Sequence, residues 1–243
     1  MASTKILIPL PNKDFDLTEV AVPWKLFRDK GYQVIFATEN GEKGEVDPKL
    51  ITGVIFGKLG AKPEAIKIYK ELELDPAFIN PILYSDIQVS EYDLIHLPGG
   101  HAKGMRQYLE NEALRAKVLE FDQSKKLIGA ICHGSIVLAR TIDPKTNKSI
   151  IYDRQLTGLI KRLEKLAYYI TFWKLGDYYR TYPEYVEDEI CRNLKNRKQF
   201  KRGGFYAKKP FVCIDQNLIT ARWPEDAYLY AETLIQKLEE QPH

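Results

Sequence analysis

The chain has 243 residues, 44% hydrophobic and 28% charged, enough to bury one full core and carry a cap. Thirty-six Lys and Arg against 33 Asp and Glu leave a formal charge of +3, spread along the chain rather than striped, so charge gives no signal for nucleic acid. No stretch reaches the roughly 18 apolar residues of a membrane span, and the apolar run after Lys5 is too short for a secretory signal. Cys132, Cys191 and Cys213 fit neither a disulfide framework nor a zinc cluster, and the expected address is a reducing cytoplasm.

The first element is a strand at Ile6–Leu10, followed by an amphipathic helix from about Leu17 to Lys30 that Gly31 closes. Gln33–Thr38 is continuously apolar and β-branched, as a parallel strand buried on both faces requires. Gly, Pro and charge break the rhythm over 40–90, which reads as an insertion holding one helix, Lys62–Glu73, and a Pro-bounded segment, Asp75–Pro81. Alternation resumes with a strand at Tyr92–Leu97, a helix at Asn111–Gln123, a strand at Lys126–Ile131 and a helix opening at Ser135. A long helical section is expected from about Leu159 to Arg197, dense in Tyr, Lys and Arg; its aromatics serve either as packing residues or as a lid. Strands at Pro210–Ile214 and Leu218–Thr220 and a helix from Pro224 to Glu240 finish the chain. The order predicts an α/β fold, a mostly parallel sheet with helices on both faces and ligands bound beyond the carboxyl ends of the strands.

Cys132, in Gly129-Ala130-Ile131-Cys132-His133-Gly134, falls at such an end, where a strand meets a helix. Backbone N–H groups and the helix dipole favour a thiolate there, the flanking glycines suit a crowded turn, and His133 supplies an acid or base. Gly99 and Gly100, in Pro98-Gly99-Gly100-His101, end another strand and can present N–H groups to an oxyanion, with His101 beside them. Glu19, in Glu19-Val20-Ala21-Val22-Pro23, opens the helix after the first strand; it either complements the helix N-terminus or reaches Cys132, and Pro23 suits a first turn whose N–H groups lack partners. No phosphate loop or dinucleotide fingerprint is present, and the histidines lack metal-ligand spacing, so neither cofactor nor metal is expected. Cys191 and Cys213 read as structural, and Asp226 as a helix N-terminal charge or a site contact.

These three segments resemble the ThiJ/PfpI superfamily of class I glutamine-amidotransferase-like proteins, over nearly the whole chain. The resemblance implies a single flavodoxin-like three-layer domain over 1–243, with cap insertions around 40–90 and 160–208. It makes Glu19 the partner of the elbow cysteine. The branch most similar is that of the small heat-shock chaperones and glyoxalases, whose Cys-His pair is completed by a carboxylate about thirty residues on; Leu156–Glu164 matches that segment, which makes Glu164 the orienting acid of His133 unless it is a solvated helix charge. The chain departs from the pattern in Ala102-Lys103 after His101 and in a longer aromatic, basic stretch over 165–208, both of which reshape the substrate mouth. The implied activity is cofactor-independent, glyoxalase or deglycase chemistry on a small carbonyl compound by Cys132, His133, Glu164 and Glu19, with oxyanion contacts at Gly99, Gly100 and His101. A cysteine amidase or peptidase and a non-enzymatic chaperone or oxidation sensor are the alternatives. A homodimer is the expected assembly, with no nucleic-acid or membrane partner.

Overall fold

Strands with apolar residues on both faces line up in the centre of a seven-stranded sheet in the computed structural model, which describes residues 4–54, 59–204 and 209–240. The sheet strands are β1 (Lys5–Pro9), β2 (Gln33–Thr38), β3 (Ile82–Leu83), β4 (Leu94–Leu97), β5 (Leu127–Ile131), β6 (Val212–Asp215) and β7 (Leu218–Ala221). Their order is β6-β7-β5-β4-β1-β2-β3, parallel throughout except for the β6–β7 hairpin. All of β4 and β5 is buried, because helices cover both faces.

The main helices are α1 (Leu17–Asp29), α2 (Pro63–Leu72), α3 (Glu112–Gln123), α4 (Gly134–Arg140), α5 (Lys161–Leu175), α6 (Val186–Arg192) and α7 (Ala227–Glu239). α1 packs with α2 and α7, and α4 with α3 and α6, giving the three-layer, flavodoxin-like α/β architecture expected. No helix among the described residues is long and apolar enough to cross a membrane.

From β1 the chain winds one way to β2 and β3 and the other way to β4 and β5, so the boundary of β1 and β4 is a switch point where the loops part and leave a crevice. Glu19 follows β1, Gly99 and Gly100 follow β4, and Cys132 follows β5.

Two expectations need revision. The helical section 159–197 is two helices, because Gly176 at φ 55° ends α5 and an irregular stretch with Pro183 intervenes before α6. The segment 40–90 is more than an insertion: Ile82 and Leu83 pair with Ala37 and Thr38 and form the sheet edge. Residues 55–58 of that segment and 205–208 of the second expected cap lie outside the described residues.

Candidate active site

β5 delivers the chain to Cys132 at φ 58°, a left-handed conformation that costs a side-chain-bearing residue about 1–3 kcal/mol and has to be held by its surroundings. The Cys132 N–H donates to Ala221 O of β7 at 3.1 Å, and Cys132 O accepts from Ser135 N at 3.3 Å as α4 begins. A Cβ on Gly134 would overlap Leu97 O and lie 2.8 Å from Pro98 O, so the turn after β4 and the start of α4 can meet only at a glycine. Gly99 is equally confined: a Cβ there would lie 2.7 Å from His133 N and 2.9 Å from both Cys132 Cβ and Glu19 Oε2. Three loops from three strands thus touch at one point.

Glu19 is fully buried, with Oε2 accepting the Gly99 N–H at 2.8 Å and the carboxyl lying against the Cys132 thiol. Asp16 caps the helix ahead of it, accepting the N–H groups of Thr18 and Glu19 at 2.8 and 3.2 Å. Pro23 is not in the first turn, where its missing N–H would matter little, but inside α1. An amide at position 23 would have bonded Glu19 O; proline leaves that carbonyl free, and it takes the Nε2–H of buried His96 on β4 at 2.8 Å. Since a carbonyl only accepts, His96 carries its proton on Nε2, and its Nδ1 accepts from Tyr230 OH of α7 at 2.8 Å. Burial brings His96 down to about 4, so it stays neutral. The Glu-x-x-x-Pro spacing therefore ties the backbone of Glu19 to the neighbouring strand.

Burial raises the Glu19 carboxyl well above the usual carboxylate range, with Asp16 adding to the effect. It also pushes the Cys132 thiol up, as do Glu19 and Asp16, and the His133 N–H offsets this only in part. Burial lowers His133 far below its ordinary value, helped by His101 and Arg140. Desolvation of a residue only 5% exposed thus works against the thiolate that the start of α4 favours. Burial favours the uncharged form of each of the three groups, the thiol, the carboxyl and the imidazole.

The hydrogen bonds of His133 fix its tautomer. Thr181 donates its hydroxyl proton to His101 O at 2.7 Å, and so it accepts from His133 Nε2–H at 3.2 Å. Nδ1 is left without a proton and faces Cys132 Sγ at 3.6 Å, where it can receive one. The His101 ring stands edge-on to His133 at 4.8 Å, is brought to about 4 by burial and then by Arg180, and has its Nε2 buried with no partner.

Glu164 is buried near this pair, but its hydrogen bond is to Val186 N, 2.9 Å from Oε2, and Oε1 lies 3.7 Å from Arg180. One ligand atom from each of His101, His133 and Glu164 falls within 4.8 Å of the others, the one group among the described residues close enough to hold a metal ion. The bond at His133 Nε2 is Thr181's. Burial lifts Glu164 to about 7 from an unfolded value near 4.5. Folding therefore favours its protonated form, a stabilisation complete below about pH 4.5 and lost as pH rises through 7, worth about 3 kcal/mol. Glu164→Gln is expected to remove that slope, so denaturant unfolding of the two proteins at pH 4.5 and 8 should show the variant gaining on wild type with pH; parallel curves would refute the shift.

A cavity of about 370 Å³ opens over Cys132. Glu19, Gly100 and His101 share its base with the cysteine, Asp16, Asp47 and Glu225 carry carboxyls around it, and Leu159, Leu163, Leu166 and Ile170 form one wall. Tyr179, in the irregular stretch after α5, also lines it, whereas Tyr169, Phe172 and Trp173 point to solvent, so the aromatics divide between wall and surface. Cys191 is half-buried in α6 and Cys213 is buried in β6; both are free thiols outside the cavity. Asp226 does not line the cavity: it forms a fully buried ion pair with Arg222. Thr181 stands in no motif, and His96 shows in the sequence only as a histidine without metal-ligand spacing. Asp16 carried a readable signal, an acid just ahead of an amphipathic run.

A doubly wound sheet with a cysteine elbow at its switch point, backed by a buried acid from the first βα loop, defines the class of cysteine-centred α/β proteins. Within it the chain belongs to the ThiJ/PfpI family: a family model described as ThiJ/PfpI family-like matches residues 10–204. It is 25% identical over 237 residues to a protein of Schizosaccharomyces pombe named glutathione-independent glyoxalase hsp3102, covering 93% of this chain and 90% of that one. It is 24% identical to Glyoxalase 3 of Candida albicans, covering 92% and 89%. The crystal structure of glyoxalase III from Candida albicans superposes with a TM-score of 0.72 at 22% identity, over 96% of each chain. That of the Rapid Encystment Protein of Francisella tularensis gives 0.74 at 23%, over 97% of this chain and 99% of that chain. The relatives support the glyoxalase III branch.

Proposed function

We propose that the protein converts small α-oxoaldehydes such as methylglyoxal into α-hydroxy acids, with no glutathione and no cofactor. The observation that carries this reading is the relay of Cys132, His133 and Thr181 at the base of a cavity, with the unprotonated nitrogen of a neutral imidazole against the thiol. The relatives' names support the same chemistry.

In this reading Cys132 Sγ attacks the aldehyde carbon while its proton passes to His133 Nδ1. The N–H groups of Gly100 and His133 hold the resulting oxyanion until His133 protonates it, giving a hemithioacetal. His133 then removes the former aldehyde C–H proton and returns it to the adjacent carbon, while the hydroxyl proton moves to the ketone oxygen, leaving a thioester. Water hydrolyses the thioester, restoring the thiol and releasing the hydroxy acid, so the net change is addition of one water. Neutral Glu19 donates to sulfur whenever it is negative, and Glu164, within 4.8 Å of the imidazole group, helps to hold the transient imidazolium. Protein deglycation would use the same first adduct.

The test is incubation of purified protein with methylglyoxal in glutathione-free buffer, following loss of the aldehyde and appearance of lactate; an unconsumed aldehyde refutes the proposal. Thr181 is a positioning residue here. Thr181→Val is expected to lower kcat by about tenfold or more, with KM little changed, and Thr181→Ser to restore it, because only the hydroxyl fixes the tautomer. Equal turnover by the Val variant would remove Thr181 from the relay.

Exposed Tyr169 (63%), Phe172 (51%) and Trp173 (68%) favour a second reading, a client-binding stress protein whose surface is α5. On that reading Cys132→Ala still suppresses aggregation of a heat-unfolded client protein, and loss of suppression in that variant counts against it.

A further inference from the structure

The cavity is much larger than the reaction needs, and its most continuous apolar wall comes from one helix, with Leu50, Leu59, Trp223 and Pro224 adding apolar surface from other segments. At about 370 Å³ it falls in the roughly 300–1,000 Å³ range of pockets that enclose drug-sized ligands, whereas methylglyoxal carries a single methyl group beyond its reacting atoms. Leu163, Leu166, Ala167 and Ile170 recur at helical spacing on α5 and place one hydrocarbon face along the cavity, which Leu159 just ahead of the helix extends. Leu159 and Leu163 are buried at its deeper part, while Leu166 is 56% and Ile170 38% exposed, so the face runs out to the mouth with its outer half in contact with solvent. Bulky hydrocarbon left wet at the lip of an enclosed site gains free energy when an apolar group covers it. Asp16, Asp47 and Glu225 put carboxyls around the same cavity, and these repel a negatively charged substrate.

We infer that the preferred substrate is an uncharged α-oxoaldehyde bearing a hydrocarbon side chain, its dicarbonyl end at Cys132 and its tail along the α5 face from Leu163 to Ile170. The inference rests on the proposed glyoxalase activity and specifies its substrate. The same carboxyls favour departure of the product, which leaves as an anion.

The experiment compares kcat/KM for methylglyoxal, butylglyoxal and phenylglyoxal, with glyoxylate as the anionic analogue. Each methylene added in an apolar pocket is worth roughly tenfold or more at best, so the two larger aldehydes are expected to exceed methylglyoxal by at least tenfold and glyoxylate to fall below it. The double variant Leu166→Ala, Ile170→Ala, which alters two partly exposed side chains, is expected to reduce the ratio of butylglyoxal to methylglyoxal to about threefold or less; a ratio taken within one protein is insensitive to partial misfolding. Consumption of methylglyoxal with no gain from the longer chain, or an unchanged ratio in the double variant, overturns this inference and leaves the activity standing. If no α-oxoaldehyde of any length is consumed, the activity itself is refuted and the inference falls with it.

Discussion

Cys132→Ser is expected to lower methylglyoxal turnover by at least a thousandfold while leaving the fold intact, since oxygen replaces sulfur in a side chain already enclosed. A hydroxyl is a far weaker nucleophile than a thiol near neutral pH, and His133 Nδ1, 3.6 Å from sulfur, is an imidazole made a weak base by burial. The accompanying state of Glu19 separates two mechanisms. A neutral carboxyl that donates to sulfur is imitated by an amide, so Glu19→Gln should stay within about tenfold of wild type, whereas Glu19→Ala, which also strands the Gly99 N–H, should lose about a hundredfold. A Gln variant as poor as the Ala variant would show that Glu19 works as a charged base, and steady-state rates with a circular-dichroism control for folding decide between them.

The second large effect is on stability. Asp226 accepts Arg222 Nε and Nη2, both at 2.8 Å, together with the N–H groups of Arg222 and Phe211 at 3.0 Å, and both side chains of the pair are inaccessible to solvent. Asp226→Ala leaves a buried guanidinium without its counter-charge and is expected to cost about 3–5 kcal/mol, read from urea unfolding. The double change Arg222→Met, Asp226→Leu should recover most of that loss, because a well-filled apolar pair replaces two desolvated charges. Trp223, Pro224 and Glu225, held between the two partners, line the cavity, so the single variant should also raise KM. A single variant as stable as wild type would mean that water reaches the guanidinium.

Strands β2 and β5 were legible because burial on both faces writes a continuous apolar run into the chain, and the elbow because two glycines flank a cysteine between a strand and a helix. What stayed hidden depends on residues distant in sequence. Pro23 resembles a helix-starting proline until His96, from another strand, is seen on the carbonyl it frees. Thr181 has no motif, and its importance comes from the loop between α5 and α6 folding back over His101 and His133. The burial that opposes a thiolate was not legible, because the local sequence reveals a helix terminus but not the depth at which Cys132 is buried nor the carboxyls beside it. The break between α5 and α6 carried signals in Gly176 and Pro183, which the dense aromatic and basic pattern around them obscured.

Burial that favours the uncharged form of the thiol, the carboxyl and the imidazole also makes for a quiet site. Agents that seek out thiolates, such as peroxides or haloacetamides, are expected to react slowly with a sulfur whose burial favours the thiol. An α-oxoaldehyde brings a carbonyl oxygen that the backbone can hold as charge forms, and a proton acceptor stands ready beside the thiol. On the proposed activity, a protein that disposes of electrophiles is thereby spared from being their first casualty, because the substrate itself draws out the nucleophile.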